Sequence, residues 1–311
     1  MSRRALVTGV SGFAGRELAA QLVDAGWQVK GTVNTRSSGV DGVIEHRVRI
    51  DDHNALAELI GPFAPEVVFH LAAIVDTVTT PDADELRRVN TLGTVAITAA
   101  MRAAAPDARL LFTSSSFAYG RTAPEAQPVQ ESHPLAPVTP YGVSKAESEA
   151  IVAQFRDETG ADTVVTRAFQ HSGPGHTGAY ALADWARQLV AMERAGGAGT
   201  ITTGNLDVAR DYLDVRDVAS AYIAAAERGQ PGEIYNVCSG KPVTMRELLT
   251  GLIAAFGLDV RIETDPARVR AIDQPVFVGD PSKLRADTGW APRYSQAEML
   301  AALAASARAS S

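Results

Sequence analysis

The chain has a single cysteine, Cys238, among its 311 residues. One cysteine excludes an internal disulfide framework and a cysteine-rich metal site, and no His, Asp and Glu spacing predicts another metal site. Basic residues are also scarce, since 29 Lys and Arg stand against 36 Asp and Glu, a formal net charge of −7. A nucleic-acid-binding protein typically carries clustered positive charge instead.

Long apolar segments are lacking as well. No run of about 18 apolar residues predicts a transmembrane helix, and the N-terminus has neither the apolar region nor the cleavage site of a signal peptide. We therefore expect a cytoplasmic protein that acts on small molecules, with no nucleic-acid or membrane partner.

The first half of the chain, to about Arg167, alternates short β-branched segments with longer segments of helical periodicity. In one of the latter, Leu86, Val89, Val95 and Ile97 recur at helical spacing. The alternation predicts βαβ units and hence a doubly wound parallel sheet of the Rossmann type, α/β in class, with helices on both faces. The predicted strands are Ala5–Thr8, Gln28–Val33, Val43–Arg49, Glu66–Leu71, Arg109–Ser114 and Thr163–Arg167, and the first predicted helix is Gly12–Ala25.

After Arg167 the pattern changes, because Gly and Pro cluster at 171–176 and helices and strands mix irregularly. We predict a dinucleotide-binding Rossmann domain over 1–167 and a smaller mixed α/β lobe over 168–311, which binds the substrate. One or two segments of this lobe are expected to return to the sheet. Asp214–Arg228 is predicted as a helix, Glu233–Val237 as a strand, and the alanine-rich tail from Ala301 as a helix that frays.

Three glycines, Gly9, Gly12 and Gly15, lie between the first predicted strand and helix. A dinucleotide pyrophosphate needs a tight turn, a close backbone approach and a helix N-terminus directed at its charge. The spacing and position therefore favour dinucleotide binding over the alternative of a purely structural turn.

The end of the second strand distinguishes the two nicotinamide dinucleotides. NAD sites usually place a carboxylate there for the ribose 2′-hydroxyl, whereas this segment offers Asn34, Arg36 and several hydroxyls. Amide, guanidinium and hydroxyl groups suit a 2′-phosphate. NADPH is therefore favoured over NAD(H), the alternative being that Arg36 is a solvated loop charge.

A catalytic set is predicted from Tyr141 and Lys145, which lie four residues apart at the start of a helical segment. Side chains at this spacing share one helix face, and a lysine cation lowers the pKa of a neighbouring tyrosine toward the neutral range. The serine run Ser114-Ser115-Ser116 at the end of the fifth strand offers a hydroxyl at the edge where doubly wound sheets bind ligands. The alternative interpretation of Tyr141 and Lys145 is an exposed helix pair.

Five motifs together are similar to one enzyme family. They are Thr8–Gly15 (Thr-Gly-x-x-Gly-Phe-x-Gly), His70–Ala73, Asn90–Thr94, Ser114–Gly120 and Tyr141–Lys145. On these motifs the chain resembles the extended short-chain dehydrogenases/reductases that modify nucleotide sugars, the NAD-dependent epimerase/dehydratase family. Its second half, through 167–176, 204–211, 214–217 and 235–240, is similar to the GDP-4-keto-6-deoxymannose reductases and the related GDP-mannose 4,6-dehydratases. The resemblance covers essentially the whole chain.

The resemblance implies an enzyme, an NAD(P)-dependent oxidoreductase. Dehydratases of this group carry an acidic side chain directly after the catalytic Ser or Thr, but Ser115 is followed by Ser116 and Phe117. Without that carboxylate, dehydration would lose an acid–base step worth about 10²–10⁴-fold. The implied activity is NADPH-dependent reduction of the C4 ketone of a nucleotide-activated 4-keto-6-deoxyhexose, in which Tyr141 protonates the alkoxide and Ser115 hydrogen-bonds it.

The resemblance also implies contacts beyond the residues named so far. Further cofactor contacts would be Ser11, Phe13, Asp51, Leu71, Ala72, Ala73 and Asn90, and Lys145 would bind the nicotinamide ribose. Substrate contacts would be Ser115, Ser116, Gln170, Asn205, Arg210, Arg270 and Asp273, with the two arginines bracketing the diphosphate. Asn205 and Asp273 could instead be turn or cap residues.

The adenine contact departs from the family. The third strand usually ends in an Asp, where this chain has Arg49; either Arg49 stacks on adenine or Asp51 takes the role two residues later. His70, His171 and His176 are interpreted as packing or loop residues. If the family's homodimer is kept, the helix of Tyr141 and the helix near Asn90–Ala104 form its interface, with Ala96, Ala99, Ala100 and Ala146 either at that interface or inside one subunit.

Two other functions stay open. A nucleotide-sugar 4-epimerase would use the same Ser, Tyr and Lys with tightly bound NAD, and a non-catalytic NADPH-sensing protein would bind cofactor without turnover. The nucleotide base (GDP, dTDP, UDP or CDP) and the C4 configuration of the product are also open.

Overall fold

The computed structural model describes residues 2–75, 82–178, 180–268 and 274–310. Its strands are β1 (Arg4–Thr8), β2 (Gln28–Val33), β3 (Val43–Arg47), β4 (Val67–His70), β5 (Arg109–Ser115), β6 (Thr163–Ala168), β7 (Gln170–Ser172), β8 (Ala198–Thr203), β9 (Ala209–Asp214), β10 (Ile234–Val237), β11 (Pro242–Thr244), β12 (Asp259–Thr264) and β13 (Val276–Phe277). Its helices are α1 (Phe13–Asp24), α2 (His53–Phe63), α3 (Ala83–Leu86), α4 (Gly93–Ala104), α5 (Pro140–Thr159), α6 (Ala181–Arg194), α7 (Val215–Arg228), α8 (Met245–Phe256), α9 (Ser282–Thr288) and α10 (Gln296–Ala309). A π-helical segment, Arg87–Leu92, joins α3 to α4.

Seven strands form one parallel sheet in the order β10-β6-β5-β4-β1-β2-β3. The chain runs outward from β1 in one direction through β2 and β3, then outward in the other through β4, β5 and β6. Strand order therefore reverses between β1 and β4, and ligands of doubly wound sheets bind beyond the strand ends at that point. The predicted fold class is confirmed.

Alternation along the strands divides the core between the two faces of the sheet. On β1, Ala5 and Val7 pack with α1 and α7, whereas Leu6 between them packs with α2 and α4. β5 shows the same alternation, since Leu111 packs on the α1 and α7 side of the sheet and Leu110 on the α2 and α4 side. Both faces are covered, as expected for a parallel sheet.

The second half of the chain builds a separate core. Residues of α6, α8 and α10 meet in it, including Trp185, Leu252 and Leu303. Beside it lie a small sheet of β11, β9 and β13, with β7 on β9, and the parallel pair β12 and β8. β10, also from this half, is an edge strand of the large sheet and pairs with β6.

Most predicted boundaries differ from the structure by no more than one residue, but two differ by more, and one predicted packing residue is exposed. β3 ends at Arg47 rather than Arg49, because its partner β2 ends at Val33, opposite Arg47. The tail helix begins at Gln296, before the alanine-rich segment, since Ser295 and Glu298 form a capping box there. Val95 was expected on an apolar packing face, but its side chain is 44% exposed.

Candidate active site

The glycine loop follows β1 at the switch point. Gly9 has φ +69°, and a Cβ there would lie 2.7 Å from the Cα of Ala72; a Cβ on Gly15 would lie 2.3 Å from the carbonyl oxygen of Gly9. Gly12 is the N-cap of α1 and makes no side-chain cap. The first-turn N–H groups are thus available to an anion, which fits a dinucleotide pyrophosphate. Ser11 and Phe13 lie in the same loop.

The end of β4 is tied to the loop through His70. Its Nδ1 lies 2.7 Å from Thr8 Oγ1, which also accepts a hydrogen bond from the Ala72 N–H. Its Nε2 lies 3.3 Å from Thr94 Oγ1. Burial, with a smaller effect of the Lys145 charge, lowers the pKa of His70 to about 3. A neutral His70 therefore holds Leu71, Ala72 and Ala73 against the glycine loop, in agreement with its interpretation as a packing residue.

The loop after β2 is only partly as the sequence suggested. Asn34 and Arg36 are exposed, but the hydroxyls are engaged: Ser37 Oγ and Ser38 Oγ donate to Glu45 Oε1 at 3.0 and 2.5 Å. These bonds, chiefly from Ser38, hold the pKa of Glu45 below its usual value. The parallel register of β3 beside β2 brings Glu45 to the Ser37 and Ser38 hydroxyls, which are therefore bonded in this structure; a contact of the segment with a 2′-phosphate stays a prediction.

At the end of β3, Asp51 and Arg49 form an ion pair. Arg49 donates from Nε at 3.1 Å and from Nη2 at 2.8 Å, and Arg88 donates from Nη1 at 3.0 Å. The Arg49 and Arg88 bonds lower the pKa of Asp51 to about 2. Both residues considered for adenine are therefore together at this strand end.

The predicted catalytic residues meet at the carboxyl ends of β5 and β6. Thr139 caps α5, with Pro140 as its first residue, so that Tyr141 lies in the first turn. Tyr141 is 7% exposed, and burial raises its pKa, which an interaction with the Ser115 side chain partly offsets. Its ring contacts that of Phe117 edge to face. The structure thus places the phenol in the neighbourhood of the Ser115 side chain.

Lys145 lies one turn further along α5. Its Nζ donates to the Thr113 carbonyl at 2.8 Å and lies 5.1 Å from the centre of the Phe112 ring. Burial lowers the pKa of Lys145 to about 8, and the Glu149 carboxylate opposes this shift. Because Tyr141 and Lys145 are both buried, the alternative of an exposed helix pair was wrong.

Asn90 connects this helix to the segment after β4. Its amide nitrogen donates to the Ile74 carbonyl and to Ser144 Oγ, both at 3.0 Å, and its amide oxygen accepts from the Ile74 N–H at 2.8 Å. In the structure Asn90 thus bonds protein groups on both sides, and its contact with a cofactor stays a prediction.

Two polar atoms on the substrate side are buried without a hydrogen-bond partner among the described residues: Ser116 Oγ and Gln170 Oε1. Ser116 follows Ser115 at the end of β5, and Gln170 follows β6. Buried polar atoms are nearly always paired, so these two positions fit a ligand that supplies hydrogen bonds.

Two other predicted substrate residues, Asn205 and Arg210, lie near and on β9. Arg210 is half-buried, and its Nη1 donates to the carbonyls of Ala209 and Gln274 at 2.8 and 2.9 Å. Asn205 Oδ1 accepts from the Asp207 N–H at 2.9 Å, so its side chain forms a local turn. Arg270 and Asp273 lie outside the described residues.

Sequence reasoning missed a ring stack over the glycine loop and two buried charges. Phe13 stacks between His171 and His176, at centroid distances of 5.9 and 4.5 Å, and Tyr180 stacks on His176 at 5.2 Å. The buried charges are Glu149 and Arg167. The sequence could have revealed Glu149, because it follows Lys145 by four residues and therefore shares its helix face. No sequence pattern indicates the ring stack.

The described residues contain no group of three His, Cys, Asp or Glu side chains that could hold a metal ion. Across the ranges that the structure covers, no helix has the length and apolarity to cross a membrane.

A glycine loop at the first βα turn of a doubly wound sheet, with Ser115, Tyr141 and Lys145 at the switch-point edge, defines a short-chain dehydrogenase/reductase with an extended second half. Within that class the particular family follows from sequence. The family model described as GDP-mannose 4,6 dehydratase matches residues 6–303, and the chain belongs to this family.

Relatives within the family differ in reaction. The chain is 34% identical to the GDP-6-deoxy-D-mannose reductase of Pseudomonas aeruginosa, over 97% of this chain and 96% of the relative. It is 30% identical to a UDP-glucose 4-epimerase of Mycolicibacterium smegmatis, over 96% of each. The solved structure of RMD from Pseudomonas aeruginosa, complexed with NADPH, matches with a TM-score of 0.85 and 32% identity over 99% of this chain and 100% of that one.

Proposed function

We propose that this protein is an NADPH-dependent reductase of the C4 ketone of a nucleotide-activated 4-keto-6-deoxyhexose, of the GDP-4-keto-6-deoxymannose type. The observation that carries the proposal is the buried Tyr141 phenol near the Ser115 side chain, with Lys145 one turn away and no ionisable side chain at Ser116 or Phe117. This arrangement holds one mobile proton and lacks the carboxylate that dehydration requires. The similarity to the Pseudomonas aeruginosa reductase supports it.

The chain's residues fit NADPH. The glycine loop would hold the pyrophosphate, Asn34 and Arg36 would face the 2′-phosphate, and Lys145 would bind the nicotinamide ribose. Bound NADPH would supply the hydride. A matched structure that contains NADPH supports this cofactor over NAD(H).

The residues of this chain supply the rest of the reduction. Ser115 Oγ would hydrogen-bond the C4 oxygen, and Tyr141 Oη would donate its proton to the alkoxide that develops there. The Lys145 ammonium stabilises the resulting phenolate by charge, since both groups are buried and electrostatic effects are stronger in such a site. Solvent then returns the proton to Tyr141.

The sugar and diphosphate would be held by residues beyond β5. Ser116 Oγ and Gln170 Oε1, the two unpartnered buried atoms, are suited to sugar hydroxyls. Arg210 and Arg270 are proposed for the diphosphate, with Asn205 and Asp273 as further contacts. The turn that Asn205 forms leaves its amide nitrogen for such a contact.

A homodimer through α4 and α5 belongs to the proposal. Ala96 and Ala100 are buried within the subunit, so they do not form that surface. The exposed apolar residues there are Leu92, Val95 and Val143, at 47, 44 and 40% exposure. A patch of large apolar side chains at the surface favours a protein interface. The cytoplasmic location likewise stays a proposal.

The test follows the loss of absorbance of the reduced cofactor with purified protein and GDP-4-keto-6-deoxymannose. NADPH and NADH run in parallel, and dTDP-4-keto-6-deoxyglucose serves as a second sugar. Oxidation of NADPH with the GDP sugar supports the proposal. No oxidation with either sugar, together with NAD released on denaturation, would reject it and support the epimerase, the alternative favoured by the Mycolicibacterium smegmatis relative.

A further inference from the structure

A line of ionisable side chains runs along one buried face of α5. Tyr141, Lys145 and Glu149 follow one another at four-residue spacing and are 7, 3 and 7% exposed. Side chains at this spacing lie above one another on a helix. Tyr141 and Lys145 belong to the proposed mechanism, whereas Glu149 has no role in it so far.

Glu149 is fixed from two strands. Arg167 on β6 donates to it from Nη2 at 2.7 Å and from Nε at 3.0 and 3.2 Å. Ser114 on β5 donates a short hydrogen bond to its Oε1. Ser114 and Arg167 are direct partners in the β5–β6 register, so the carboxylate lies across the strand ends next to Ser115 and Ala168.

Among the described residues, Glu149 is the negatively charged group that acts on Lys145. β5 offers the Thr113 carbonyl and the Phe112 ring, and β4 offers His70, which is neutral at its pKa of about 3. The π-helical segment contributes the neutral Asn90, and β6 contributes Arg167 behind Glu149. On α5 itself the neighbours are Tyr141, a neutral phenol, and Glu149.

Glu149 is thus paired with the buried Arg167, and its charge acts on the buried Lys145 one helical turn away. Buried like charges disfavour the charged form of a titratable group, and desolvation adds to that effect. Arginine stays charged under all these conditions, so loss of the carboxylate would act on Lys145.

We propose that Glu149 is a positioning residue that keeps Lys145 protonated, and hence able to stabilise the Tyr141 phenolate, at neutral pH. Lys145 in turn is held at Thr113, directly before the serine that anchors Glu149. The effect on turnover rests on the proposed reductase function, whereas the effect on the protonation of Lys145 is independent of that function.

The test measures the titration of Lys145 directly in the cofactor-free protein. The chain has four lysines, Lys30, Lys145, Lys241 and Lys283, so ¹³Cε-lysine labelling gives a spectrum that a Lys145→Met variant assigns. The wild-type midpoint is expected near 8. In Glu149→Gln it should fall by about one pH unit or more, and in Glu149→Asp, which keeps the charge, it should stay near the wild-type value.

A second variant separates the effect of charge from that of structure, because Glu149→Gln alone leaves the buried Arg167 without its carboxylate partner. Glu149→Gln/Arg167→Met removes both ends of the ion pair, an exchange that buried pairs often tolerate. This variant should regain the melting temperature, while its Lys145 midpoint stays low. A midpoint unchanged in folded Glu149→Gln, or restored in the double variant, would overturn the proposal.

Kinetics supply the readout of function. The alkaline limb of kcat/KM, which reports loss of the Lys145 proton, should move to lower pH in Glu149→Gln by the same amount as the midpoint. A wild-type protein that fails to reduce the ketone would reject the reductase and leave the titration result intact. A shifted midpoint with an unmoved alkaline limb would overturn the role in turnover.

Discussion

Replacement of Tyr141 by Phe tests the proposed chemistry most directly. The substitution removes one hydroxyl and keeps the ring, so the edge-to-face contact with Phe117 and the burial of the side chain persist. The hydroxyl is the proposed proton donor, and loss of a positioned donor costs about 10²–10⁴-fold in rate, or about 3–5 kcal/mol of activation free energy. We expect kcat to fall by that factor.

Folding should barely change in this variant. Ser115 loses its interaction with the phenol but still accepts from the Phe117 N–H at 3.2 Å. One hydrogen bond contributes about 1 kcal/mol, so the melting temperature should fall by no more than about 2–4 °C. NADPH affinity should stay within about threefold of wild type, because the predicted ribose contact of Lys145 remains.

The assay is oxidation of NADPH with GDP-4-keto-6-deoxymannose, alongside fluorescence titration of NADPH and a thermal melt. Tyr235→Phe is the matched control. Tyr235 lies on the edge strand β10, away from the site, and its hydroxyl donates to Asp287 at 2.7 Å. It should lose stability and keep its kcat. A Tyr141→Phe enzyme that retains more than a tenth of the wild-type kcat would refute the assignment of Tyr141 as proton donor.

Three further variants test the cofactor loop, the cofactor preference and the dimer. Gly15→Ala places a Cβ 2.3 Å from the Gly9 carbonyl oxygen and should reduce NADPH affinity at least about tenfold, while the helical control Gly61→Ala, whose Cβ meets only Ala104 at 3.7 Å, should bind normally. Asn34→Asp should weaken NADPH binding about tenfold or more and favour NADH, because its carboxylate would repel a 2′-phosphate; equal NADPH affinity in a fluorescence titration would contradict the placement of Asn34. Leu92→Glu, at a residue 47% exposed, should yield monomers in sedimentation without a change in melting temperature, and an unaltered dimer would exclude the α4–α5 surface.

Local pattern was sufficient for the elements and for the motifs within them. Period-two and helical spacing predicted β1, β2 and the sheet class, because the burial of each segment repeats at the period of its backbone. The glycine loop and the Tyr141–Lys145 pair were likewise readable, since each lies within a few residues of chain. The strand-end position pointed to the serine run, whose carboxyl edge a doubly wound fold directs at the ligand, and the resemblance to the family selected Ser115 within it.

Strand register decided the rest, because it joins residues that are distant in the chain. Glu45 reaches Ser37 and Ser38 only through the pairing of β3 with β2, and Glu149 meets Ser114 and Arg167 only where β5, β6 and α5 converge. The exposure of Val95, the ring stack on Phe13 and the burial of Lys145 depend equally on which surfaces pack together. The sequence by itself determined the sheet and the positions of the glycine loop and of the Tyr141–Lys145 pair. The tertiary structure decided the charges around Tyr141, since electrostatic neighbours follow from packing in space and leave no periodic trace along the chain.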